Sequence, residues 1–134
     1  MLAVRVDGKG DVTDSHVAWR FEKSVSKTAS PILAGGLLYM VSDDGVVTCL
    51  ESGTGTQVWR ERIGGNYSAS PIFSDGRIYF CNQQGKTSVL KPSRVFEVLA
   101  TNSLESGFMA SPAVSGKALF LRTKTHLYRI ENIP

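Results

Sequence analysis

The chain has 134 residues, a mass of 14.5 kDa and a formal net charge of +3, and 42% of its residues are hydrophobic. This composition is typical of one globular domain and excludes an intrinsically disordered chain, a disulfide scaffold and a coiled coil. No apolar stretch approaches the roughly 20 residues of a membrane-spanning helix, and the charge excess is too weak to indicate a nucleic-acid-binding protein.

Three Ser-Pro pairs recur along the chain at a regular spacing. They begin at Ser30, Ser70 and Ser111, which lie 40 and 41 residues apart. The aromatic residues that follow each proline by eight positions are Tyr39, Tyr79 and Phe120. Several markers that share one period of about 40 residues indicate a structural repeat.

The first predicted unit, residues 1–26, is incomplete. It is expected to contribute only the third and fourth strands of its sheet, at residues 2–6 and 17–21. The second predicted unit, residues 27–66, is complete, because four short apolar runs are separated by turn residues such as Gly36. No segment has a sustained apolar period of about 3.6 residues, so we predict essentially no helix.

The remaining two predicted units have the same order of strands and turns, but each differs from the second unit. The third, residues 67–107, is predicted to have Phe96 in the place that Trp59 holds in the second unit. The fourth, residues 108–134, is predicted to supply three strands of a blade and to need a fourth strand from elsewhere. The whole chain, residues 1–134, is therefore expected to form a single partial domain.

Four short antiparallel strands in about 40 residues are typical of one blade of a β-propeller. We predict an all-β propeller with four-stranded antiparallel blades and about three blades per chain. Propellers have roughly four to eight blades, so three blades cannot close a ring. We expect two chains to form a closed six-bladed dimeric ring, in which residues 17–21 of one chain complete the last blade of the other. The alternative is that the chain is the C-terminal part of a longer propeller.

Segment 50–59 resembles the repeat of the quinoprotein-type, or PQQ-like, propeller family. Leu50, Thr54, Gly55 and Trp59 stand at positions of that family's pattern. The upstream positions of the pattern are matched by Ser30, Pro31, Gly36, Tyr39, Asp44 and Gly45. The resemblance covers nearly the whole chain and implies the propeller fold, with the repeat tryptophans packed between adjacent blades.

The family also includes enzymes, which are quinoprotein dehydrogenases. Their activity implies a quinone, a divalent cation and a carboxylate base inside a closed propeller. No group of residues in this sequence matches that set, so the resemblance does not imply that this chain binds the quinone. We therefore predict no cofactor for this chain.

The candidate reactive side chains do not form a catalytic or metal-binding motif. His16 and His126 belong to different units, and no histidine neighbours Cys49 or Cys81, which we expect to be buried free thiols. The loop at 7–11 is rich in Asp and Gly but lacks the closing glutamate of a calcium-binding loop. We predict no catalytic, cofactor-binding or metal-binding residues.

The last unit is basic and also contains aromatic residues. Its basic residues are Lys117, Arg122, Lys124 and Arg129. Phe120 holds the core aromatic position of the repeat, so the fold explains its presence among these charges. A solvated rim that faces an acidic partner is therefore favoured over a platform for nucleic acid.

These observations together favour a non-catalytic propeller scaffold or binding module that mediates protein or ligand interaction. We expect it to act as a homodimer, with a possible further protein partner, without nucleic acid and without a membrane span. One alternative is a fragment of a quinoprotein dehydrogenase-like enzyme. Another is a small-ligand or carbohydrate binder at the mouth of the channel. The sequence leaves the cellular compartment open.

Overall fold

The computed structural model describes residues 1–131, whose regular structure consists of thirteen β-strands. The strands are β1 (Leu2–Val4), β2 (Val17–Arg20), β3 (Ile32–Ala34), β4 (Leu37–Val41), β5 (Val46–Glu51), β6 (Gln57–Arg62), β7 (Ile72–Ser74), β8 (Arg77–Cys81), β9 (Lys86–Leu90), β10 (Val98–Ser103), β11 (Ala113–Ser115), β12 (Ala118–Arg122) and β13 (Leu127–Ile130). The predicted all-β class is confirmed. Residues 132–134, which belong to the predicted fourth unit, lie outside the described residues.

The strands form four antiparallel sheets that follow one another along the chain. β1 and β2 form unit 1, β3–β6 form unit 2, β7–β10 form unit 3, and β11–β13 form unit 4. Within each sheet the strands are hydrogen-bonded in chain order, which is the meander of a propeller blade. The predicted propeller fold with about three blades per chain is confirmed. The predicted boundaries between units stay a prediction.

Glycine is required at the turn between the second and third strand of each complete sheet. Gly45 has a φ of 81°, and a Cβ there would lie 2.7 Å from the backbone carbonyl of Gly64. Gly85 has a φ of 90°, and a Cβ there would lie 2.2 Å from the carbonyl oxygen of Leu104. Any other residue would force apart the hairpin and the chain segment that leaves the same sheet.

A row of three directly opposed residues crosses unit 2. Tyr39 faces Cys49, and Cys49 faces Trp59, so the three side chains share one face of the sheet. The rings of Tyr39 and Trp59 lie 5.9 Å apart between centroids, and Trp59 is only 9% exposed. This row is buried because unit 3 covers it.

The corresponding row of unit 3 has a different composition. Tyr79 faces Val89, and Val89 faces Ala100, so the position equivalent to Trp59 is held by Ala100. The prediction that Phe96 replaces the tryptophan is therefore wrong. The register shifts between Val98 and Ala100, and this shift leaves Phe96 in the loop before β10.

Two tryptophans join successive units by the same geometry. The Trp19 indole Nε1–H donates to the carbonyl of Ser52 in unit 2, at 2.9 Å, and the Trp59 Nε1–H donates to the carbonyl of Ser93 in unit 3, at 3.0 Å. A Cβ on Gly55 would lie 2.6 Å from the Trp19 ring, so only glycine admits the indole there. The tryptophans therefore pack between adjacent units and satisfy their single polar atom.

The hydrophobic core is divided unequally between the unit interfaces. The large cluster lies at units 2 and 3 and contains Ala29, Ala34, Leu37, Tyr39, Val41, Val47, Cys49, Trp59, Tyr67, Ile78, Phe80 and Leu90. Phe96 packs against this cluster, with its ring 5.2 Å from that of Trp59. The smaller cluster, between units 3 and 4, contains Ala69, Cys81, Phe108 and Leu121. Unit 4 is therefore held by a smaller buried area than units 2 and 3 hold between them.

Candidate functional site

A series of hydrogen bonds between the Ser-Pro pairs connects successive units. The backbone N–H of Ser30 donates to the hydroxyl of Ser70, and the backbone N–H of Ser70 donates to the hydroxyl of Ser111, both at 2.9 Å. The residues are related by the repeat, so the same bond could continue at either end if another unit were present. Within residues 1–131 no further Ser-Pro unit continues it. Among the described residues, the repeat therefore has two open ends, at Ser30 and at Ser111.

Large apolar side chains are exposed at both open ends. At the C-terminal end, Leu127 on β13 is 69% exposed. At the N-terminal end, Leu2 on β1 is 53% exposed and Leu33 on β3 is 59% exposed. Exposed apolar side chains at the ends of a repeat indicate surfaces that another unit can cover.

A groove of about 900 Å³ separates units 3 and 4. Its unit 3 wall includes Tyr79 and Leu104, and its unit 4 wall includes Val114, Leu119 and Ile130. A smaller cavity of about 400 Å³ adjoins it and is lined by residues that include Ala100 and Tyr79. Ala100, which holds the indole position in the row of unit 3, lines this smaller cavity, and Tyr79 lines both.

Charged side chains surround the mouth of this groove. Arg77 forms an ion pair with Asp75 at 2.6 Å, and this carboxylate raises the pKa of the Arg77 guanidinium. Glu131 forms an ion pair with Arg129 at 2.9 Å. Within residues 1–131, Lys117 forms no ion pair, so its positive charge is the one left uncompensated at the mouth.

The structure does not bring the two histidines together with other reactive groups. His16 lies 3.6 Å from the exposed carboxylate of Asp7, and the His126 ring bonds the neighbouring hydroxyl of Thr125 at 2.8 Å. In the described part of the chain no group of three or more His, Cys, Asp or Glu side chains could hold a metal ion. The Asp-rich loop at 7–11 thus has one histidine contact and no cluster of ligands.

No helix that is long and apolar enough to cross a membrane occurs among the described residues.

Both cysteines are buried free thiols. Cys49 and Cys81 are each 0% exposed. Burial raises the pKa of the Cys49 thiol to about 11 and also raises that of Cys81, although the Thr87 hydroxyl partly offsets the shift at Cys81. Because the thiolate is the nucleophile of cysteine chemistry, these environments suppress reactivity.

We expect the fold to lose stability in alkali. Burial raises the pKa of Tyr67 to about 12, from an ordinary value of 10.0, and that of Cys49 to about 11, from 9.0. The folded chain therefore favours the neutral forms of both side chains. Their contribution to the free energy of unfolding is complete below about pH 9 and is lost as the pH rises through about 11 to 12. Urea unfolding at pH 7, 9 and 11 measures the effect. A free energy of unfolding at pH 11 equal to that at pH 7 would contradict it.

Comparison with known proteins matches the chain to a family model and to solved structures, two of which are described below. A family model described as outer membrane protein assembly factor BamB matches residues 11–133. No curated protein matches the chain.

The two solved structures share the fold at low sequence identity. BamB from Moraxella catarrhalis is 15% identical with a TM-score of 0.62, over 74% of this chain and 29% of that one. The quinohemoprotein alcohol dehydrogenase ADHIIG from Pseudomonas putida HK5 is 13% identical with a TM-score of 0.60, over 77% of this chain and 17% of that one. The chain thus spans less than a third of either protein. The similarity to the PQQ-like repeat is confirmed, and the match over residues 11–133 shows that the chain belongs to the family of the outer membrane protein assembly factor BamB.

Proposed function

We propose that this chain is a non-catalytic β-propeller module that mediates protein interaction, and that it does so by closing a six-bladed ring with a second copy of itself. The proposal rests on one observation, the series of hydrogen bonds through Ser30, Ser70 and Ser111, which is open at both ends. A ring of six blades would continue these bonds from one copy to the next. It would also cover the apolar side chains at both ends of the repeat.

The strands at the two ends are complementary. Unit 4 supplies three strands, ending in β13, whereas unit 1 supplies β2 with Trp19 already docked on unit 2. In the ring, β2 of one copy would serve as the fourth strand beside β13 of the other. β1 holds that edge of β2 through three residue pairs, which are flanked by backbone bonds from Arg5 to His16 and from Phe21 to Met1, and the exchange would replace these bonds with bonds to β13.

The solution mass tests this proposal. Light scattering at micromolar concentration is expected to give twice the 14.5 kDa of one chain. Leu127→Lys places a charge at the proposed contact, and it is expected to weaken dimerisation about tenfold or more, because burying an unpaired ammonium is costly. Val95→Lys is the matched control, because Val95 is 74% exposed and lies in a loop away from both ends.

Two results would overturn the proposed ring. One is a stable, folded monomer at micromolar concentration. The other is a dimer that Leu127→Lys and Val95→Lys leave equally intact, because the contact would then lie on another surface.

A further inference from the structure

The groove between units 3 and 4 borders the one complete blade that lacks its indole, and the smaller cavity beside the groove is lined by the residue at the indole position, Ala100. The rows of units 2 and 3 correspond residue by residue, since Tyr39 corresponds to Tyr79 and Trp59 to Ala100. In unit 2 the indole fills the space against the next unit, and Trp59 is 9% exposed. In unit 3 a methyl group stands at that position, and Ala100 is exposed.

The walls of the groove suit a flat aromatic ring. Tyr79 lies on the unit 3 side, and its counterpart Tyr39 packs against the Trp59 ring in unit 2. Leu119 and Ile130 line the unit 4 side. A volume of about 900 Å³ falls within the range of pockets that bind small molecules, roughly 300–1,000 Å³. The adjoining cavity of about 400 Å³, lined by Ala100 and Tyr79, suits the ring, and the groove leaves space for a substituent that reaches the mouth.

The charged side chains at the mouth of the groove indicate which charge that substituent carries. Arg77 is neutralised by Asp75, and Glu131 is neutralised by Arg129, as their ion pairs show. Lys117 is left without an ion pair in the described part of the chain and lines the same groove. An anionic group is therefore favoured over a cationic one at this mouth.

From these observations we infer that the groove and the smaller cavity beside it bind a small aromatic acid. Its ring, of about indole size, lies against Tyr79 and Ala100 in the smaller cavity, and its carboxylate extends into the groove toward Lys117. Both walls belong to one chain, so this site does not depend on the proposed dimeric ring. The inference adds a ligand site to a protein whose proposed role is assembly.

Indole-3-acetate is the probe that we would titrate into the whole chain by NMR. The amide signals of Tyr79, Ala100 and Leu104 are expected to shift in a saturable manner, whereas those around Trp19 stay unchanged. Tryptamine, which has a similar ring and a positive charge, is expected to bind more weakly than indole-3-acetate. Shifts that are absent at millimolar probe, or that map outside the groove, would overturn the inference.

Two substitutions and one control test the position of the ring and the position of the carboxylate separately. Ala100→Trp restores the indole of the repeat and is expected to abolish binding, whereas Val95→Trp adds the same side chain outside the groove and is expected to leave binding unchanged. Lys117→Gln is expected to weaken binding of indole-3-acetate about two- to fivefold, as for an exposed ion pair, and to leave binding of neutral indole unchanged.

The outcomes remain decisive if Ala100→Trp fails to fold. The amide shifts in the unsubstituted chain locate the site without any variant. Full binding by a folded Ala100→Trp chain would overturn the placement of the ring. An equal affinity of the Lys117→Gln chain for indole-3-acetate would overturn the placement of the carboxylate.

Discussion

Trp59→Ala is expected to lower the free energy of unfolding by about 3–5 kcal/mol, which is the usual cost of removing a large buried aromatic side chain. Trp59 lies in the main core, contacts the rings of Tyr39 and Phe96, and donates its Nε1–H to the carbonyl of Ser93. Its removal leaves a cavity between units 2 and 3, and the Ser93 carbonyl keeps only the longer bond from the Tyr39 hydroxyl, at 3.4 Å. Urea unfolding followed by circular dichroism measures the loss.

Trp59→Phe separates the two contributions of this side chain. Phenylalanine keeps much of the apolar area and loses the hydrogen bond to Ser93, so we expect a smaller loss than for alanine. A Trp59→Ala chain within about 1 kcal/mol of the unsubstituted chain would contradict the assignment of Trp59 as the central packing residue.

Gly107→Ala is expected to be at least as damaging, with a loss of about 3 kcal/mol or more. A Cβ at this position would lie 1.5 Å from the carbonyl oxygen of Gln83 and 2.2 Å from its carbonyl carbon. Both atoms belong to the backbone, so no side-chain rotation relieves the clash. The backbone around Gly107 must move away from the turn between β8 and β9.

That movement would break the backbone bonds that hold unit 4 on unit 3. The N–H of Phe108 donates to the carbonyl of Asn82 at 3.0 Å, and the carbonyl of Gly107 accepts from the N–H of Lys124 at 3.2 Å. The hydrophobic contact of unit 4 with unit 3 is the small cluster around Phe108 and Leu121, so the loss of these bonds weakens the unit strongly. Hydrogen exchange is therefore expected to speed up first in β12 and β13.

Gly53→Ala is the matched control for this experiment. A Cβ on Gly53 would meet no atom within 4 Å, and its φ is not positive, so we expect a change below about 0.5 kcal/mol. Equal stability of the Gly107→Ala and Gly53→Ala chains would show that the close approach of Gly107 to Gln83 does not constrain the fold.

The interface between units 2 and 3 and the interface between units 3 and 4 differ in packing, and this explains why the expected effects on stability differ along the chain. Between units 2 and 3, an indole, a tyrosine and a phenylalanine ring pack together, and the repeat tryptophan satisfies its own N–H. Between units 3 and 4, Ala100 replaces the indole and a groove remains. Local stability is therefore expected to fall from unit 2 toward unit 4.

The sequence alone determined the number, order and class of the sheets. Strand and turn preferences are local, so the Ser-Pro pairs, the aromatic eight residues after each proline, and turn glycines such as Gly45 and Gly85 are visible without a structure. The regular spacing then indicated the propeller fold, because a repeat of this length can bury its sheet faces only against its neighbours.

Only the tertiary structure decided which residue occupies each interface. Phe96 and Ala100 both lie near the position that the spacing assigns to a tryptophan, and the register shift beside Val98 selects Ala100. Such a shift depends on how the short loop before β10 packs against Trp59, which is a contact between units that no local pattern records. The groove and the position of Lys117 on its wall likewise depend on how units 3 and 4 are placed side by side, so no local pattern predicts them.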